Sequence, residues 1–242
     1  NSLLQIASEL TTGTKLSYTN QEAVGALKDA LVEGAIATSG VLSKENSYYK
    51  NSLYKIYLPE EASPMLNAIE KIPGGSSLIE DVVLRLNRTA EESAEEIIPI
   101  FKNAITSMTI TDGIKIVTGG DRAATDYLKE KTYSQLVNLY RPKISTVLKQ
   151  PLVANISADK AWSTLVTKYN TIAIPANKAA LLLKQPEPMP MVEVDLASYA
   201  TKKALDAVFI QLGNEEQKIR ANPYEYTSAL IQKVFGAVLQ GN

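Results

Sequence analysis

Histidine and cysteine are both missing from this 242-residue chain. Without His there is no imidazole to act as general base, no ordinary Ser-His-Asp arrangement and no imidazole metal ligand. Without Cys there is no thiol nucleophile, no thiolate zinc site and no disulfide. Any catalysis would rest on Asp, Glu, Lys, Tyr, Arg or a borrowed cofactor, and nothing in the sequence calls for a cofactor or a metal. Charge of one sign is not in excess: 25 basic residues against 26 acidic ones leave a net charge of -1. No segment gathers the Lys and Arg of a nucleic-acid footprint, so nucleic acid is not an expected partner. No run of about 18 apolar residues occurs, so no transmembrane segment is expected.

What is present is an ordinary globular composition, 45% hydrophobic and 21% charged, on a chain long enough to bury one large core or two small ones. Apolar residues recur at helical spacing. Residues 21–37 carry Val24, Leu27, Leu31 and Ile36. A longer element, starting at a Ser76 or Ser77 cap, carries Leu78, Val82, Leu86, Ala90, Ile97, Phe101, Ala104 and Met108, with a kink expected at Pro99. A short helix over 62–72 stops at Pro73-Gly74-Gly75. Further helices are expected from a Thr132-x-x-Gln135 cap, over 157–173, from an Asp195 cap, and from an Asn222-Pro223 restart. Alternating strand patterns are absent. The fold class is therefore all-α, a multi-helix bundle with kinked long helices and one irregular Pro-rich crossing segment. Residues 1–20 are expected to form a flexible N-terminal segment and 21–242 a single helical domain; 175–194 is either a sub-boundary or a long connection inside one bundle. The first residue is Asn1, which fits removal of an N-terminal secretory segment.

Within Met108–Leu128, Gly119-Gly120 raises the choice between a phosphate cradle and a corner between helices. Neither G-x-x-x-x-G-K-[ST] nor a strand followed by G-x-G-x-x-G surrounds it. Thr109-x-x-Asp112 reads as a capping box, Gly119 as a left-handed helix stop, and Asp121 as the cap of the next helix. The corner is the expected reading.

Several segments together resemble a bacterial cell-envelope family, the one catalogued as domain of unknown function 4197. They are LKDALVEG (27–34), IYLPE (56–60), the long stretch from LRLNRTAEES to GGDRAATDYL (84–128), DLASYATKKALDAVF (195–209) and EEQKIRANPYEYTSALIQKVFG (215–236). The resemblance implies a helical fold and an exported or lipid-anchored location in the periplasm or at the outer membrane. It implies no activity.

Charged residues interrupt the apolar periodicity at three places: Asp81, Arg85, Asn87, Arg88 and Glu92; the run Glu91, Glu92, Glu95 and Glu96; and Tyr199, Lys203 and Asp206 with Glu215, Glu216, Arg220 and Asn222. The first and third read as interhelical or surface ion-pair networks unless a cleft gathers them, and the acidic run reads as a solvated helix face rather than a site for a hard cation such as calcium or magnesium. Tyr48, Tyr49, Tyr54 and Tyr57 crowd one polar linker and suit either packing or an interface. Functionally, the expectation is a non-enzymatic envelope protein that binds a protein partner or a small anionic ligand between helices. Arg85, Arg88 and Arg220 would face the anion, with Asp81, Asp121 and Asp206 positioning them and Lys203 beside Asp206. Two alternatives stand: a carboxylate-dependent glycan hydrolase with acids about 5–9.5 Å apart across a groove, and a structural or assembly protein with a large exposed apolar patch.

Overall fold

The computed structural model describes residues 16–241. Of the N-terminal segment expected to be flexible, residues 1–15 lie outside the described residues. The fold is all-α, as the periodicity requires. The helices are α1 (Asn20–Leu42), α2 (Ser63–Ile69), α3 (Gly75–Ser93), α4 (Ile97–Ser107), α5 (Gly113–Val117), α6 (Ala123–Leu148), α7 (Ala158–Leu182), α8 (Leu196–Ala221) and α9 (Ala229–Leu239). Among the described residues the only extended pairing is an isolated bridge between Val153 and Ile156.

Two compact units account for the chain. Among the described residues the first comprises 16–38, 101–133 and 209–241; the second comprises 39–100 and 134–208. The first buries Leu27, Leu31, Phe101, Ile105, Leu128, Phe209, Leu212, Ile219, Val234 and Phe235, with the Phe101 and Phe209 rings tilted against each other at 5.5 Å. In the second, α3 packs on α7, and α2 packs on both. Tyr48, Met65, Ile69, Leu86, Tyr140, Leu165 and Tyr169 are buried there. Tyr48 and Tyr140 resolve their polar ends by donating to the carbonyls of Ala204 and Ser93, both at 3.1 Å. Burial holds both phenols well above their ordinary range.

Several sequence expectations are corrected. Ile36 is 47% exposed, because five residues past Leu31 it has rotated off the stripe and Ala35 takes the buried place. The long element is not one kinked helix. A 3-10 turn, Ala94–Glu96, separates α3 from α4, just ahead of Pro99, whose ring and missing N–H forbid an α-helical bond to Glu95. α3 starts without a Ser cap; Gly74 precedes it at φ 77. Thr132 caps nothing: it sits inside the continuous α6 and donates to Leu128 O at 2.5 Å. α7 likewise continues through Pro175 to Leu182. Asn222-Pro223 opens only a 3-10 turn, Pro223–Glu225, while α9 begins later behind a Ser228 cap. The Asp195 cap of α8 is as expected, accepting from Ser198 N at 3.0 Å.

The Gly119-Gly120 stretch is a helix corner, but different residues make it. Asp112, not Thr109, caps α5, accepting from Lys115 N at 3.0 Å. Gly119 is not left-handed, since the positive-φ glycines are Gly74 and Gly241. It is glycine by proximity: an added Cβ would lie 3.0 Å from Ala123 Cβ and 3.1 Å from Ile116 O. Asp121 is exposed and does not cap α6. The amides of Ala124 and Thr125 donate instead to the buried Glu216 carboxylate, at 3.0 and 2.7 Å. That carboxylate also accepts from Arg220 Nε at 2.8 Å, and Arg220 reaches Val117 O at 2.6 Å and Ile116 O at 3.2 Å. One i,i+4 pair on α8 thus places a negative group at the start of α6 and a positive one at the end of α5, matching both helix dipoles. Replacing Glu216 with Ala leaves two amides without an acceptor and the Arg220 guanidinium without its counter-charge, and urea unfolding should show a loss of about 3 kcal/mol. Asp121→Ala should change stability by no more than about 0.5 kcal/mol; a large loss there would return the cap to Asp121.

Candidate functional site

The second unit builds its concave surface on one face of α3. Arg85 is 3% exposed, so each of its N–H groups needs an acceptor. It donates from Nε to Ile156 O at 3.1 Å, from Nη2 to Val153 O at 3.2 Å and from Nη1 to Asp81 O at 3.2 Å, and it pairs with the Asp81 carboxylate. One turn later Arg88 donates to Glu91 at 2.6 Å and to Glu45 and Asn46 Oδ1 at 3.0 Å each, with its guanidinium 5.7 Å from the Tyr49 ring centre. Glu91, also buried, accepts from the amides of Tyr48 and Tyr49 at 3.1 and 3.2 Å. Between them Asn87 accepts from Ile56 N and donates to Ile56 O, both at 2.8 Å. The motif LRLNRTAEES therefore ties down three loops.

Two of those loops carry strained backbone. Asn46 has φ 70, and Ala154 and Asn155 have φ 48 and 59. The bridge between Val153 and Ile156, closed by Ile156 N donating to Val153 O at 3.0 Å, makes Ala154-Asn155 the two left-handed residues of a tight turn of the primed type. Asn tolerates this geometry; Ala does so at a cost. Between the two loops lies a cleft of about 480 Å³ with Leu84, Leu152 and Val153 on its walls, and Glu45, Glu91, Glu92 and Arg88 as its charged groups. Its single guanidinium is already engaged on two sides, so the remaining character is acidic on an apolar floor.

A second cleft in the same unit, about 580 Å³, is lined by Tyr57, Leu58, Glu60, Glu61, Tyr199 and Lys203. Tyr199 donates to Tyr57 O at 2.6 Å, and burial pushes its phenol up to about 12. Lys203 is exposed, its amine 5.9 Å from the Tyr199 ring centre, and Asp206 is half-buried on the next turn. Beside this cleft the Asp195 carboxyl is held at about 2, below its ordinary 3.8, by hydrogen bonds from Ser198 and Arg141.

The sequence of a protein family described as "Protein of unknown function (DUF4197)" matches residues 17–236. The chain belongs to that family. Comparison with curated proteins and with solved structures returns no match. The DUF4197 match takes in all the site residues named from sequence. Asp81, Arg85, Arg88, Lys203 and Asp206 fall in the second unit, Asp121 and Arg220 in the first. Asp81, Arg85 and Arg88 share the α3 face, with Arg88 alone of the three lining the acidic cleft; Lys203 faces the other cleft; Arg220 is engaged at the α5 terminus. The run Glu91, Glu92, Glu95 and Glu96 is divided: Glu91 turns inward, Glu92 lines the cleft, and Glu96 pairs with Lys143 at 2.9 Å. Missed from sequence was the 153–156 turn, which only a lone Asn155 signals; Glu216 was named in a cluster with Arg220, but not its place at the start of α6.

Two measurements check this geometry. Gly in place of Ala154 removes the steric cost of the left-handed position, about 1–2 kcal/mol, against a glycine entropy cost of about 0.5–1, so stability should rise by about 0.5–1 kcal/mol. Because Asp195 binds its proton more weakly when folded, its contribution is present above pH 3.8 and disappears as pH falls towards about 2. The Asp195→Asn variant should lose that part of the acid dependence in thermal melts between pH 2 and 5.

Proposed function

We propose that this chain is a non-enzymatic binding protein, and that the cleft between the Asn46 loop and the 153–156 turn receives a basic side chain of a polypeptide partner. The observation that carries this is the rim itself: three left-handed residues, in two loops that Arg85, Arg88 and Glu91 of α3 hold by hydrogen bonds. Strain retained at a preformed concave edge is the usual mark of a binding surface. With Glu91 already occupied, Glu92 and the exposed Glu45 against one engaged arginine favour a cationic guest, and Leu84, Leu152 and Val153 suit the methylene stem of Lys or Arg. Of the two partner classes expected from sequence, this supports the polypeptide over the small anion.

The hydrolase alternative finds little support in the interior, where Glu91, Glu215 and Glu216 are each occupied by backbone amides or by Gln, Lys and Arg donors. An envelope location with an N-terminal lipid anchor remains part of the proposal, resting on the family resemblance alone, and cell fractionation tests it. No helix among the described residues is long and apolar enough to cross a membrane.

Calorimetry with short Lys- or Arg-containing peptides should show binding that weakens with salt and falls about tenfold or more in Glu45→Lys/Glu92→Lys. Equal or tighter binding of Asp/Glu-rich peptides would overturn the reading.

A further inference from the structure

The second unit also carries an apolar surface that is left exposed among the described residues. Leu181, Leu182 and Leu183, at the end of α7, are 72, 78 and 72% exposed, and Ile174, two turns earlier in line with Leu181, is 56% exposed. Consecutive helical residues are rotated by about 100°, so the leucines cover about 200° of the circumference. A flat protein face meets one side of a helix and would leave part of this surface in water. A medium that surrounds the helix end covers all of it.

Two further features fit such a medium. The main chain at this terminus is closed on itself: Lys184 N donates to Leu181 O at 3.1 Å and Gln185 N to Ala180 O at 2.9 Å, with Lys184 left-handed at φ 53. This is the Schellman arrangement, which satisfies the carbonyls of Ala180 and Leu181 within the chain and lowers the cost of bringing the helix end against an apolar phase. It uses Lys where Gly would be unstrained. Exposed Lys178 and Lys184 thus bracket the leucines, with stems long enough to lie along apolar surface while the ammonium groups stay in a polar layer. The returning segment is pinned, Asn177 donating to Met189 O at 2.6 Å and Tyr169 to Pro190 O at 2.8 Å, so the end of α7 is presented as a fixed shape.

We propose that the Leu181–Leu183 end of α7 inserts into the headgroup boundary of an anionic phospholipid surface, with Lys178 and Lys184 on the lipid phosphates. It goes beyond the peptide cleft and does not depend on it. The chain lacks Cys, so Leu182→Cys in the full chain provides a single thiol for a polarity-sensitive fluorophore; Leu53→Cys, on an equally exposed residue, is the control. Vesicles of phosphatidylcholine mixed with phosphatidylglycerol should blue-shift the label at 182 and not at 53. Phosphatidylcholine alone should do so much more weakly, and Lys178→Glu/Lys184→Glu should weaken binding about tenfold or more. Unlabelled Leu181→Ser/Leu183→Ser should no longer co-sediment with the anionic vesicles. No shift at 182, the same shift at 53, or a shift at 182 that grows with protein concentration without vesicles, the mark of a second copy of the chain, would overturn the proposal.

Discussion

A charge taken out of water has to be met by hydrogen bonds, and much of this structure follows from how the chain meets that demand. Arg85 is met by the carbonyls of Val153 and Ile156, Glu91 by the amides of Tyr48 and Tyr49, and Glu216 by the amides of Ala124 and Thr125. In each case the partner is main chain from a loop or helix end distant in sequence. The interior charges therefore fix irregular backbone, which apolar packing positions only loosely because it is non-directional. The concave surface of the second unit exists because α3 holds both of its edges.

The corner at Gly119-Gly120 shows the same logic at smaller scale. A helix start offers unpaired amides and a helix end unpaired carbonyls, and together they would suit a bound ion. Here Glu216 and Arg220, one turn apart on α8, supply both charges from within the protein. The amides that a phosphate would need are already occupied by a carboxylate. A glycine pair beside a helix start is therefore weak evidence for an anion site until the source of its counter-charge is known.

Interior charge and exposed apolar surface occur at different places in the second unit. α7 is buried through Trp162, Leu165, Tyr169 and Ala173, where it meets α2 and α3, and is almost wholly exposed beyond Ile174. Pro175, inside the helix, coincides with that change. The helix persists past the point where packing supports it because its end is closed by its own hydrogen bonds and pinned through Asn177 and Tyr169.

The helical stripes of Leu27 and Leu31, Val82 and Leu86, Leu205 to Leu212, and Val234 and Phe235 were legible in the sequence, because burial on one face imposes a period that depends only on helix geometry. So were the Asp195 cap and the corner at Gly119-Gly120, each a matter of neighbouring residues. Other boundaries were not legible. A T-x-x-Q spacing reads the same inside α6 as at a start, and an Asp beside a helix is no cap when a carboxylate from α8 has taken its amides. The left-handed turn at Ala154-Asn155 was likewise invisible, since Ala gives no local signal for it. What the sequence by itself determined is an all-helical chain with apolar faces to bury and charges that interrupt them. Which loop each charge holds, and hence where a cleft opens, was decided only in the tertiary structure, because those hydrogen bonds join side chains to main-chain groups dozens of residues away.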